Sequence, residues 1–213
     1  MEHTIFFDMD GTILDTEKYY RMYWQQAAKE CGYYMTDEQA LSMRSLGRPF
    51  AAERINSLFQ DEDAYRRIRG KRMELMNERL RADGIPLKPY ARETLAELQK
   101  RGHHLGIATA TDLERTEKYL SEVGLREYFE YIICATMVKQ GKPAPDIYLY
   151  ACEQVGIEPD RVYAIEDSPN GVMSAYRAGC KVIMIPDQTQ PDEELSGMLV
   201  YKADSLWKLT EIF

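Results

Sequence analysis

Long apolar runs are missing from these 213 residues, and none approaches the ~20 consecutive positions that a membrane-crossing helix requires. Cysteine is scarce. Cys31, Cys134, Cys152 and Cys180 show no C-x-x-C spacing, and two of them sit in apolar runs that read as core, so a reduced protein is expected. Basic residues are outnumbered, 27 against 35 acidic ones, giving a formal charge of -8 that opposes a nucleic-acid backbone. The stretch Met1 to Asp8 lacks the basic start and longer apolar segment of a signal peptide, which predicts a cytoplasmic chain without a membrane partner. No internal repeat or low-complexity tract is present.

Hydrophobic residues make up 45% of the chain, enough for one sizeable core or a core with a small second domain. Short apolar runs predict strands at Thr4–Phe7, Leu105–Ala108, Val162–Ile165 and Lys181–Ile185, with Tyr131–Cys134 as a weaker fifth. Helical patterns alternate with them over Ala91–Lys100, Leu113–Val123, Asp146–Val155 and Gly171–Ala178, each stopped by a glycine. This alternation predicts an α/β fold with a doubly wound, mostly parallel sheet. Between Thr16 and Gly84 no convincing strand occurs. Helical signals repeat there instead, among them the capping box Thr36/Gln39 and Pro49 at a first helical position. The expected organisation is a catalytic core from residues 1–15 and 86–213, with a helical cap over 16–85 and a return hinge at Ile85-Pro86-Leu87-Lys88-Pro89.

Ligands of open parallel sheets bind at the carboxyl ends of the strands, and those positions are unusually polar here. The first strand runs into Asp8-Met9-Asp10-Gly11-Thr12, the second into Thr109-Ala110-Thr111-Asp112, and another into Glu166-Asp167-Ser168, while Lys142-Pro143 follows Tyr131–Cys134. Carboxylates gathered on one edge repel unless a cation offsets them, and hard oxygen donors suit Mg²⁺. Phosphoryl transfer needs a nucleophile, charge neutralisation and a proton for the leaving group. Asp8 and Asp10 divide the first and last of these jobs, with Gly11 permitting the turn between them.

The segment Asp8-Met9-Asp10-Gly11-Thr12 resembles the D-x-D-G-T/V signature of the haloacid dehalogenase superfamily. Thr109, Lys142 and Glu166-Asp167 resemble its second, third and fourth motifs. The run Glu166-Asp167-Ser168-Pro169-Asn170-Gly171, continued to Ala178-Gly179, is similar to the branch of β-phosphoglucomutases and phosphoglycolate phosphatases. The resemblance implies a Rossmann-like core with a mobile helical cap that chooses the substrate. It also implies Mg²⁺ held by the Asp8 side chain, the Asp10 carbonyl and Asp167, with Glu166 placing the metal's waters or Lys142. Thr109, the Ala110 amide and Lys142 would hold the phosphoryl oxygens.

Two departures bear on the choice within the branch. Tyr20 stands where the mutases carry a histidine, and Phe50 stands where they carry an arginine. A mutase must retain its phosphorylated intermediate, so a phosphatase of a small phosphorylated metabolite, in this branch often a monomer, is expected. Arg44 and Arg48, flanking Gly47, keep a sugar-phosphate mutase as the second reading, and Tyr20 is the aromatic of its helix expected near substrate. A calcium loop is disfavoured because Ile13 and Tyr19 occupy the positions that need glycine and glutamate. A phospho-receiver module is disfavoured because its acceptor aspartate ends the third strand. His103-His104 read as a solvated turn, and the basic run Arg66, Arg67, Arg69, Lys71, Arg72 as a solvated helix face. Tyr19, Tyr23 and Trp24 read as cap packing, and Met73 and Met76 as core or interface filler.

Overall fold

The computed structural model describes residues 2–213. Strand β1 (Thr4–Phe7) is followed by four helices: α1 (Glu17–Glu30), α2 (Asp37–Leu41), α3 (Phe50–Phe59) and α4 (Ala64–Asp83). The chain then alternates through α5 (Ala91–Lys100), β2 (His104–Thr109), α6 (Leu113–Glu122), β3 (Tyr131–Cys134), α7 (Asp146–Val155), β4 (Val162–Glu166), α8 (Pro169–Ala178) and β5 (Lys181–Met184). It closes with α9 (Glu193–Ser196), β6 (Leu199–Lys202) and α10 (Leu209–Ile212).

All six strands are parallel, in the order β3-β2-β1-β4-β5-β6. The order reverses beside β1, so the crevice at the switch point opens where β1, β2 and β4 end. Period-two alternation divides the core between the two faces. Ile5, Phe7, Ile107, Ile165 and Ile183 pack on one side with Leu95, Leu98 and Leu120 of α5 and α6. Phe6, Ala108, Ala164, Val182 and Met184 pack on the other with Ile147, Tyr148, Val172 and Ala175 of α7 and α8.

The helical segment has a cluster of its own, built around Trp24, Met43, Ile55 and Ile68. It leaves and rejoins the sheet body through adjacent stretches, with Asp15 N–H donating to the Pro86 carbonyl (2.8 Å) and Lys88 N–H to that of Ile13 (2.9 Å). A second contact lies across the switch point, where Gly47 N–H donates to the Lys142 carbonyl (2.8 Å) and Gly141 N–H to that of Arg48 (2.6 Å). A side chain on either glycine would collide with the other's backbone.

Several expectations need correction. The edge strand β6 was not anticipated, because Val200, Tyr201 and Lys202 are exposed and show no alternation. Helix α8 starts at Pro169 instead of Gly171: the Ser168 hydroxyl caps it by accepting from Gly171 N–H (3.2 Å), and proline suits the first turn. His103 is buried, not solvated. Its ring stacks on His3, lies edge-on to Phe213, and takes a hydrogen bond at Nδ1 from the His3 amide. His104 is the exposed first residue of β2.

Gly106, in the middle of β2, has no room for a Cβ because the Phe6 ring of the neighbouring strand covers it. Gly106→Ala is expected to cost about 1–3 kcal/mol through overpacking, read as a lower urea midpoint at constant slope. An unshifted midpoint would show that the two strands have slack.

Candidate active site

Each strand that ends at the switch point delivers at least one polar group. Asp8 follows β1 and keeps the pairing going, its N–H donating to the Ile165 carbonyl (2.9 Å). Thr109 is the last residue of β2, Glu166 the last of β4, and Asp167 the next. Lys142 arrives from the loop between β3 and α7. Asp8 is 1% exposed, and Lys142, Glu166 and Asp167 are fully buried.

The Lys142 ammonium is the hub. It donates to Asp8 Oδ1 (2.5 Å), Glu166 Oε1 (2.6 Å) and the Ala108 carbonyl (2.9 Å), which satisfies its three protons. The Tyr148 hydroxyl also donates to Glu166 Oε1 (2.5 Å). On the far side, Arg44 donates to Asp167 Oδ2 and to its carbonyl, both at 2.7 Å, and to Thr189 Oγ1 (2.9 Å). Oxygens of Asp8, Glu166 and Asp167 lie within 4.8 Å of one another. Three buried carboxylates thus share two cations. Burial pushes the Asp8 carboxyl well up despite Lys142 beside it, and raises Asp167 to about 6 against the pull of Arg44. Lys142 moves up in spite of its burial, because Asp8 and Glu166 hold its proton. Asp8 Oδ2 and Glu166 Oε2 are buried without any hydrogen-bond partner among the described residues.

Two glycines of the sequence motifs are required by these carboxylates. Gly11 sits at φ 91°, and a Cβ there would overlap the Asp167 carboxylate. A Cβ on Gly171 would overlap the Glu166 carboxylate.

Asp10 is separated from this cluster by its own hydrogen bonds. Thr16 Oγ1 donates to Oδ1 (2.6 Å) and Thr111 Oγ1 to Oδ2 (2.8 Å), so both carboxylate oxygens are oriented while the group still lines the cavity. The Thr109 hydroxyl accepts from Thr111 N–H (3.1 Å), and Ala110 is half-buried at the cavity wall.

A cavity of about 370 Å³ lies between these groups and the helical segment. Tyr20 lines it, buried, with a hydroxyl that has no partner among the described residues and that burial keeps protonated. Arg44 and Arg48 both border it, but Arg44 is engaged by Asp167 and Arg48 is exposed at the rim. Six further residues escaped sequence reasoning as site groups: Glu17, Arg69, Arg72 and Arg115 at the cavity, and Thr16 and Tyr148 behind it. The i, i+3, i+7 spacing of Glu17, Tyr20 and Trp24 and the i, i+3 pair Arg69/Arg72 are the signals that could have found three of them, Glu17, Arg69 and Arg72. The basic run is therefore split. Arg66, Arg67 and Lys71 pair with acids in partly exposed positions, whereas Arg69 and Arg72 face the cavity.

Fold and cluster together define the class: an open α/β enzyme with a buried carboxylate–ammonium site at the sheet's switch point. The model of the haloacid dehalogenase-like hydrolase family matches residues 5–185. A phosphorylated carbohydrates phosphatase of Thermotoga maritima is 28% identical over 183 residues, 84% of this chain and 82% of the relative. The fructose-1-phosphate phosphatase YqaB of Escherichia coli is 28% identical over 182 residues, 84% of this chain and 94% of its own length. Among solved structures, CbbY of Rhodobacter sphaeroides in complex with xylulose-(1,5)bisphosphate aligns with a TM-score of 0.81 at 28% identity, covering 98% of this chain and 96% of that one. This chain belongs to the haloacid dehalogenase-like hydrolase family.

Gly171→Ala should push Glu166 away from Lys142 and Tyr148. The expected loss is about 1–3 kcal/mol of stability, measured by urea unfolding. A variant as stable as the parent would mean that Glu166 is not confined as described.

Proposed function

We propose that this chain is a magnesium-dependent phosphatase that hydrolyses a small phosphomonoester, a sugar phosphate, through an aspartyl-phosphate on Asp8. The observation that carries the reading is the fully buried Lys142 bridging Asp8 and Glu166 beside Asp167. Nucleophile, fixed cation and a further acid pair are thereby brought to one point of the sheet.

The donor set fits a hard divalent cation. Three carboxylates against two side-chain cations leave an excess of negative charge, and two buried carboxylate oxygens lack a partner. Asp8 and Asp167, with the Asp10 carbonyl, would hold Mg²⁺, and Glu166 would orient its surroundings through Lys142. Bound there, the ion would offset the charge between the nucleophile and an anionic substrate.

The protein's own residues account for the proton and bond changes. An oxygen of Asp8 attacks phosphorus as the ester P–O bond breaks, and Lys142 and Thr109 neutralise or hydrogen-bond the phosphoryl oxygens. Asp10, oriented by Thr16 and Thr111, gives its proton to the departing alkoxide. It then takes a proton from the water that attacks phosphorus, releasing inorganic phosphate and restoring Asp8. Residues 16–85 act as a helical cap on a core of residues 1–15 and 86–213, although Met1 lies outside the described residues. No helix among the described residues is long and apolar enough to cross a membrane. A monomer in the cytoplasm with a small phosphorylated metabolite as its partner completes the reading.

The second reading is a sugar-phosphate mutase. Against it stands Tyr20, which supplies an un-ionised hydroxyl where a group titrating near neutrality would be needed. Arg44, which had favoured it, is engaged by Asp167.

Asp8→Asn is expected to lower Mg²⁺-dependent release of phosphate from a generic phosphoester by several orders of magnitude. Retained turnover would refute the covalent step. Chelation with EDTA should abolish activity and added Mg²⁺ restore it; indifference to both would remove the metal from the scheme. With a hexose 1-phosphate, released phosphate should exceed hexose 6-phosphate, and dominant isomerisation would favour the mutase.

A further inference from the structure

We infer that Tyr148 is a positioning residue, whose hydroxyl holds Glu166 so that the Lys142 ammonium can follow negative charge from Asp8 onto the transferred phosphoryl group. The inference deepens the phosphatase reading and rests on it.

Three observations carry it. First, packing explains the ring of Tyr148 but not its hydroxyl. The residue is fully buried in the apolar cluster of Ile147, Ala151, Val172 and Ala175, a place whose apolar part phenylalanine would also fill. A buried hydroxyl is costly unless it bonds, and this one donates to Glu166 Oε1 (2.5 Å). Second, that oxygen already accepts from Lys142 (2.6 Å), while Oε2 of the same carboxylate is buried with no hydrogen-bond partner among the described residues. A hydroxyl that served only to satisfy the acid would sit on the bare oxygen. Two donors on Oε1 instead fix the rotation of the carboxylate and divide its charge between phenol and ammonium. Third, Tyr148 and Lys142 belong to one short, braced segment. Pro143 and Pro145 lie between them, and the Ala144 carbonyl accepts from Ser174 Oγ of α8 (2.6 Å). Tyr148 N–H donates to the Pro145 carbonyl (3.0 Å), and the centroid of its ring is 5.5 Å from Lys142 Nζ. The segment thus grips Glu166 Oε1 with two of its side chains.

The chemistry gives this division a purpose. All three Lys142 protons are engaged, by Asp8, Glu166 and the Ala108 carbonyl. As the bond from Asp8 to phosphorus forms and the ester P–O bond breaks, negative charge leaves the Asp8 carboxylate and gathers on the phosphoryl oxygens. The Lys142 N–H that pointed at Asp8 Oδ1 is the one that can turn to them. The other two bonds must anchor the ammonium without capturing it. A fully buried carboxylate with Lys142 as its sole donor would draw Nζ toward itself, because an unmatched buried charge is costly. Tyr148 supplies the second donor and relaxes that pull. Burial, together with the charges of Glu166 and Asp8, pushes the phenol's pKa well up, so it remains a donor.

The test is a double-mutant cycle on the full chain with Mg²⁺ and p-nitrophenyl phosphate, in which Tyr148→Phe is made in the parent and in Glu166→Gln. In the parent it should lower kcat about tenfold and leave KM within about twofold. In Glu166→Gln it should cost less than about twofold, because the group it acts through is already altered. Equal losses in both backgrounds, or a Tyr148→Phe protein as active as the parent, would overturn the inference. If Glu166→Gln does not fold, inhibition of the Tyr148→Phe protein decides. Vanadate, which adopts the five-coordinate geometry of the transition state, should bind it about tenfold more weakly than the parent, and inorganic phosphate equally well. A variant that is merely part-unfolded loses kcat but keeps both inhibition constants, and that result rejects the positioning role. Should the parent release no phosphate from any ester, the phosphatase reading fails, and calorimetric binding of vanadate and phosphate to parent and Tyr148→Phe still decides the placement of Lys142. Selective weakening of vanadate supports it; equal weakening of both anions, or none, rejects it.

Discussion

The ammonium of Lys142 is the interaction on which the rest of this structure depends. It enters the sheet's switch point fully buried and is shared by Asp8, Glu166 and the Ala108 carbonyl. A buried cation is tolerable only when its protons and charge are all matched, and matching it requires two carboxylates at adjoining strand ends. Those carboxylates dictate what surrounds them. Tyr148 donates to Glu166 from below, Gly171 leaves space for that carboxylate, and Gly11 leaves space for Asp167. The motif spacing is thus the one-dimensional trace of a charge arrangement that tolerates little displacement.

The same arrangement couples the helical segment to the sheet. Arg44 bonds to both the carboxylate and the carbonyl of Asp167, and the amide of Asn170 bonds to the Arg44 carbonyl (2.8 Å). Gly47 and Gly141 bring two backbones into contact directly over Lys142. Helices α1 and α4 therefore stand across the cavity from Asp8 and Asp10, and their inner faces present Tyr20, Arg69 and Arg72 to it.

What could be read from the sequence follows from how local the cause is. Asp8, Thr109 and Glu166-Asp167 each sit at the end of a short apolar run, so strand and site were visible together, and five of the six strands were recognisable. Lys142 was legible through its motif. Strand β6 was not, because an exposed edge needs no alternation of apolar residues. His103 was misjudged from the turn signal of Gly102, since the residue that covers it, Phe213, is far away in sequence. Arg69 and Arg72 were hidden within a basic run whose other members are solvated. Their helical spacing was available, but which face meets the cavity is decided by how α4 packs on α1. Glu17 and Tyr148 acquire their roles in the same way, through tertiary placement.

The central claim is that Asp8 carries the phosphoryl group. Acid quenching during turnover of a ³²P-labelled sugar phosphate, followed by peptide mapping, tests it most directly. The account predicts label on the peptide containing Asp8, lost on treatment with hydroxylamine as expected of an acyl phosphate. Label on any other residue, or rapid turnover with none on the protein at any quench time, would contradict it.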